Sequence, residues 1–225
     1  ERELAWRGTA APTLTADPAG GVRWHAKGEV SADEGSACAS MIIDVSGDFS
    51  TDGLAQVNMK LQAVSSGCSL ANVHLEMPLV ESASRLINGF GWKGARRPDE
   101  MRFRWDEKTA TFGQAGLNCR VWLGGADAGM QFNLQGLEQS QSAAASRCGN
   151  DDNGQLRCDD LTDAQYNVAL GSQVWYNKNA GGATIRVQPA TETALLTVFT
   201  GPLHVSSQTA LSLPFRLLLT PVRGG

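Results

Sequence analysis

The chain contains no apolar run near the ~20 residues that a membrane-crossing helix needs, so it predicts a soluble domain with no membrane insertion. It is poor in positive charge. Lys and Arg number 19 against 23 Asp and Glu, for a net charge of −4, and Arg96-Arg97 is too short a basic run to attract a polyanion, which excludes nucleic acid as a partner. Histidine is scarce: His25, His74 and His204 are scattered, with neither a Ser-His-Asp order nor a His-x-x-x-His spacing. That pattern assigns no nucleophile and no zinc site. A 3.6-residue apolar period long enough for a core helix is also missing, as is an internal repeat. The opening Glu1-Arg2-Glu3-Leu4 is neither a methionine start nor a secretory leader, so the reading expects either a removed leader or a piece of a longer protein.

What is present is the texture of an all-β protein. At 225 residues and 42% hydrophobic, residues 1–225 suit a single large antiparallel β-sandwich. Period-two alternation predicts strands at Gly21–Glu29, Met41–Ser46, Ala55–Ala63, Ala71–Leu79, Glu100–Trp105, Thr109–Phe112, Arg120–Leu123, Met130–Leu134, Gln165–Ala169, Ala183–Pro189, Ala194–Thr200 and Leu211–Thr220. Between them Asp52-Gly53, Ser65-Ser66-Gly67, Gly124-Gly125 and Gly181-Gly182 offer positions where a positive φ costs little. Residues 135–163 read as a loop insertion. In the last strand Leu211, Leu213, Phe215, Leu217 and Leu219 share one face, and Pro214 predicts a bulge or an edge-facing position.

Five cysteines divide by context. Cys148 and Cys158 bracket a polar, turn-rich loop without core positions, where a disulfide would restrict the excursion. Cys38, Cys68 and Cys119 lie at or near strand-like segments, and either one further pair or three small buried residues suits them. This usage favours an oxidising compartment, extracellular or at the cell surface.

Three segments carry a family resemblance. Asn88-Gly89-Phe90-Gly91-Trp92-Lys93-Gly94-Ala95-Arg96-Arg97-Pro98 is followed by Phe103-Arg104-Trp105-Asp106 and by the stretch from Val121 to Leu134. Trp175-Tyr176-Asn177 precedes Gly181-Gly182, and the chain closes on Leu213-Pro214-Phe215 through Thr220-Pro221-Val222. Together they resemble the N-terminal β-sandwich domain of proteins similar to glycoside hydrolase family 123, and Thr51-Asp52-Gly53 ahead of a long strand suits the same pattern. The resemblance implies a neighbouring (β/α)₈ barrel that carries an Asp-Glu pair, on which the substrate's own acetamido group attacks the anomeric centre. No strand–helix alternation able to build such a barrel occurs here. A fold and a neighbour transfer, catalytic residues do not, and residues 220–225 are expected to begin a linker to a missing downstream domain.

The remaining candidates are weighed on their own residues. Asp33-Glu34, Asp99-Glu100 and Asp106-Glu107 are adjacent carboxylates in turn-like contexts, and neighbours on a strand point to opposite faces. Gly89-x-Gly91-x-x-Gly94 matches a dinucleotide fingerprint only formally, since it leads into Arg-Arg-Pro and opens no helix. Asp151, Asn153, Gly154 and Asp160 imitate a calcium loop whose first ligand position is Gly149, so an exposed polar loop is preferred and neither a metal nor a cofactor is assigned. Trp105 and Trp122 fall in alternating strands and are read as core. Trp92, with Arg96 and Arg97 beside it, sits in a glycine-rich stretch expected to be a surface loop and is a candidate for sugar or partner contact. Trp175, Tyr176 and Asn177 come next, with core packing the competing role.

The sequence therefore reads as a non-catalytic β-sandwich domain of an extracellular glycoside hydrolase-like (N-acetylhexosaminidase-like) protein, supporting a catalytic barrel or substrate cleft, with carbohydrate or a neighbouring domain as partner. Two alternatives stand beside it: a structural protein–protein interaction domain of a cell-surface or matrix assembly, and an independent carbohydrate-binding module.

Overall fold

The computed structural model describes residues 7–18, 20–31, 40–89, 92–104, 120–133, 148–150, 156–158, 174–175 and 177–220. Their strands are β1 (Arg7–Gly8), β2 (Thr13–Ala16), β3 (Val22–Ser31), β4 (Ser40–Phe49), β5 (Leu54–Ala63), β6 (Cys68–Leu70), β7 (His74–Val80), β8 (Leu86–Gly89) and β9 (Trp92–Arg96). They continue as β10 (Glu100–Arg104), β11 (Arg120–Gly124), β12 (Gly129–Asn133), β13 (Cys148–Asn150), β14 (Leu156–Cys158), β15 (Gly182–Gln188), β16 (Thr193–Phe199), β17 (Leu203–Val205) and β18 (Leu211–Thr220).

Ten strands form one antiparallel sheet in the order β1-β3-β4-β5-β18-β12-β11-β8-β9, with β2 also pairing β3. Four more form a second sheet, β10-β15-β16-β7. Alternation decides which face each strand buries. Ala55, Val57, Leu61 and Ala63 of β5 are buried while Gln56 and Lys60 are exposed, and Ala194, Leu196 and Val198 of β16 are buried in the same rhythm. The inner faces of the two sheets meet in one core, where Ile87, Val121, Leu123, Phe132, Leu213 and Phe215 of the large sheet join Met77, Phe103, Ile185, Leu196 and Val198 of the small one. The fold is all-β, as the alternation predicts.

Strand positions agree closely with expectation where alternation is clean. Leu211–Thr220 matches at both ends, and β5, β10, β11, β12, β15 and β16 end within one residue of the expected bounds. The expected Ala71–Leu79 strand begins later, as β7, with β6 preceding it. The expected strands at Thr109–Phe112 and Gln165–Ala169 lie outside the described residues, as do most of the 135–163 insertion and residues 221–225.

Of the two alternatives for Pro214, the edge-facing position is the one adopted: there is no bulge, because the β18–β5 register runs unbroken from Leu211 opposite Leu61 to Leu218 opposite Leu54. The Pro214 carbonyl accepts the Trp175 indole N–H at 2.9 Å. A strand residue's N and O leave on the same side, so the missing N–H faces Trp175 and costs the β5 ladder nothing. The paired glycines are a correction. Positive φ occurs at Gly53 but not at Gly124, Gly125, Gly181 or Gly182. The latter answer close approach instead: a Cβ on Gly181 would stand 1.9 Å from the Trp175 carbonyl oxygen.

Cys68, buried at the start of β6, is disulfide-bonded. The side chains of Cys148 and Cys158 lie outside the described residues, but the β13–β14 backbone sets Cys148 directly opposite Cys158. Opposite residues of an antiparallel pair have Cα atoms about 4.5–5.5 Å apart, inside the span of a disulfide. A non-reduced proteolytic digest should therefore contain the two as one cross-linked species. Either cysteine recovered as a free thiol would contradict that pairing.

Candidate functional site

The candidate group Trp92, Arg96 and Arg97 does not converge. The stretch expected to be a surface loop is a strand, β9, on the edge of the ten-stranded sheet, paired with β8 across an irregularity between Ile87 and Asn88. Gly94, at φ +66, provides the backbone freedom for that bulge. Trp92 lies opposite Gly89 and is 38% exposed, whereas Arg96 lies opposite Leu86. Directly opposed residues share a face, so Trp92 takes the face of buried Ile87 and Gly89 while Arg96 takes the outer face with exposed Leu86.

Arg97 is only 4% exposed and unavailable to a ligand, which corrects its assignment as a contact residue. Its Nε donates to the Ser84 carbonyl at 2.6 Å, one terminal nitrogen to the Pro98 carbonyl and the other to a Glu81 carboxylate oxygen, both at 2.9 Å. Ser84, itself fully buried, donates its hydroxyl to the Val80 carbonyl. These bonds hold the 3₁₀ turn Glu81–Ala83, where the chain leaves β7 of the small sheet for β8 of the large one. A planar guanidinium can reach three acceptors at once, and here two of them, at Glu81 and Ser84, belong to the crossover while the third is the carbonyl of the following residue, Pro98.

Trp175 is likewise a core residue, 3% exposed, with its ring edge-on to Phe215 at 6.4 Å. Tyr176 lies outside the described residues. Asn177 sits at φ 43 and donates its amide to the Thr200 and Pro202 carbonyls at 2.9 and 2.6 Å, a turn-fixing role. Of the adjacent carboxylates only Asp99-Glu100 is described. Glu100 forms an exposed ion pair with Arg186 at 2.9 Å, and the Asp99 carbonyl accepts from the Val187 N–H. Asp151, Asn153, Gly154 and Asp160 of the calcium-like loop fall outside the described residues, and no cluster able to hold a metal ion occurs among the described ones. None of the described helices is long and apolar enough to cross a membrane.

Trp122 was expected in the core and is not there. Val121 and Leu123 are fully buried, so alternation turns the half-buried Trp122 to the outer face of the large sheet. Its indole lies over Gly124 and Gly129: a Cβ on the first would stand 1.9 Å from its ring and on the second 2.8 Å from its Nε1. Nε1 donates to the Thr220 hydroxyl at 2.9 Å. The strand partners of Trp122 are Asn88 of β8 and Gln131 of β12. One signal was available in sequence: glycines two residues after Trp122 and at the start of the next strand leave room for a flat ring.

No curated protein matches the chain. Among solved structures, one described as a candidate mutarotase from Salmonella typhimurium is similar at 8% identity with a TM-score of 0.45, covering 95% of this chain and 64% of that one, so this chain spans less than two thirds of that protein's length. The family model described as glycoside hydrolase 123, third domain, matches residues 7–221. That description numbers the domain third, whereas the sequence resemblance is to an N-terminal one. With nearly the whole chain matched, this protein belongs to the glycoside hydrolase 123 third-domain family.

Proposed function

We propose that the chain is the non-catalytic β-sandwich domain of an extracellular, N-acetylhexosaminidase-like protein, in which it packs against a catalytic barrel or shapes the rim of its substrate cleft. The observation that carries this reading is the family match over residues 7–221. The described geometry is consistent with it. Arg97, Trp175 and Asn177, the candidates for ligand contact, are engaged in the crossover, the core and a turn, and Glu100 in a surface ion pair. The bonded Cys68 supports the extracellular part of the proposal, because disulfides persist in oxidising compartments.

Produced alone, the chain should release no nitrophenol from 4-nitrophenyl N-acetyl-β-hexosaminides above the buffer rate. Sustained turnover, abolished by changing one of its own carboxylates, would overturn the reading. Deleting the domain from the full-length protein should lower the thermal midpoint of what remains, and an unchanged midpoint would show that it buttresses nothing.

A further inference from the structure

We propose that the buried Cys68 is bonded to Cys38, so that this disulfide pins the β6–β17 ribbon to the corner of the large sheet and leaves Cys119 as the remaining thiol. The inference goes beyond the family reading and does not rest on it. Cys68 is 1% exposed and disulfide-bonded, and the chain offers it four partners. Cys148 and Cys158 stand opposite each other on β13 and β14 and satisfy one another. The choice falls between Cys38 and Cys119. Both lie outside the described residues, but each is tethered to a described strand: Cys38 is two residues ahead of Ser40 in β4, and Cys119 one residue ahead of Arg120 in β11.

Register separates the two. Cys68 lies opposite Val205, and the carbonyl of the next residue, Ser206, accepts the Ala63 N–H at 3.1 Å. Those steps keep the Cys68 Cα within about 14 Å of the Ala63 Cα. Arg120 is level with Gln56 of β5, through Asn133 of β12 and Arg216 of β18. It therefore stands three strands across and seven residues along from Ala63, roughly 27 Å away at about 4.8 Å per strand and about 3.3 Å per residue. One residue of tether brings Cys119 closer by about 3.8 Å at most, so at least ~9 Å separates it from Cys68, beyond the ~7 Å limit for a bridge. Cys38 meets no such gap. The Ser40 carbonyl accepts the Val64 N–H at 3.1 Å, at the same end of the sheet as Ala63, and two residues of tether span about 7 Å.

The bond acts on a weak element. Among the described strands β6 and β17 pair only with each other, and an isolated two-stranded ribbon is marginally stable in water. Two hydrogen bonds tie it to β5: the one from Ala63, and one from the Gln62 amide to the Ser207 carbonyl at 2.9 Å. A covalent link closing about thirty residues adds a constraint on the unfolded chain to those two bonds. Its formation passes two electrons and two protons from the Cys38 and Cys68 thiols to the disulfide of a thiol–disulfide exchange partner, which leaves as two thiols.

Trypsin separates the cysteines onto five peptides, since a Lys or Arg stands between each and the next. The full chain, exported into an oxidising compartment, is alkylated in denaturant without reductant and then digested. The linked species should join residues 28–60 to residues 61–85, with the alkyl group on Cys119. Cys68 linked to any other cysteine, or Cys38 recovered alkylated, overturns the pairing. Cys38→Ser should free Cys68 for alkylation and lower the thermal midpoint by several degrees, whereas Cys119→Ser should change neither. A Cys38→Ser midpoint equal to the parent's overturns the pinning role, and if that variant fails to fold the parent's peptide map still decides the pairing. Neither result bears on the domain-deletion experiment, so the buttressing role stands or falls separately.

Discussion

Replacing Phe215 by alanine should lower the unfolding free energy by about 3–5 kcal/mol, the range found for enclosed aromatic side chains. Phe215 is 6% exposed in the strand between β5 and β12. Its ring stacks on Phe132 with centroids 5.8 Å apart and receives the edge of Trp175. Deletion leaves a cavity between two large rings whose backbones are fixed by sheet hydrogen bonds, so the site can collapse only partly. The urea midpoint should fall while the slope stays near the parent's. A variant matching the parent in both would show the strand to be peripheral and would contradict the packing of the two sheets.

Arg97→Met should cost about 2–3 kcal/mol, although it removes a charge and adds no polar group, because it strands acceptors that the guanidinium now satisfies. The Ser84 and Pro98 carbonyls and the Glu81 carboxylate would each lose a donor. Glu81 is about a third exposed and can recover with water, which holds the cost below that of a fully buried pair. Arg97→Lys should rescue little, since an ammonium cannot match the guanidinium fork aimed at three acceptors. Arg96→Ala, at the neighbouring exposed position, serves as the control and should leave the urea midpoint unchanged within about 0.5 kcal/mol. Equal midpoints for Arg97→Met and the parent would sink the crossover role.

The contrast between these two arginines shows where sequence was legible. Adjacent residues of one type looked like one basic surface, yet Arg97 is buried by acceptors at Glu81 and Ser84, distant in sequence, which no local pattern announces. Alternation located Leu211–Thr220 because its apolar positions fall on one face and its flanks are polar. It failed for Trp122, where Val121, Trp122 and Leu123 are all apolar and period two gives two faces without saying which is inside. The β8–β9 hairpin was hidden by its glycines. Gly89, Gly91 and Gly94 resemble loop punctuation, whereas the φ +66 of Gly94 accommodates an irregular strand pairing.

The position of β18 also bears on how the protein can be made. Among the described strands, β1 to β5 form one half of the large sheet and β12, β11, β8 and β9 the other, and the two halves join only through β18. That strand is the last of them to leave the ribosome. Until Thr220 clears the exit tunnel, a nascent chain holds two half-sheets whose edges at β5 and β12 lack their shared neighbour. Each is a template for wrong pairing. The sheet must then close by contacts between residues far apart in the chain, such as Leu54 with Leu218, which makes its completion slow and dependent on the arrival of β18.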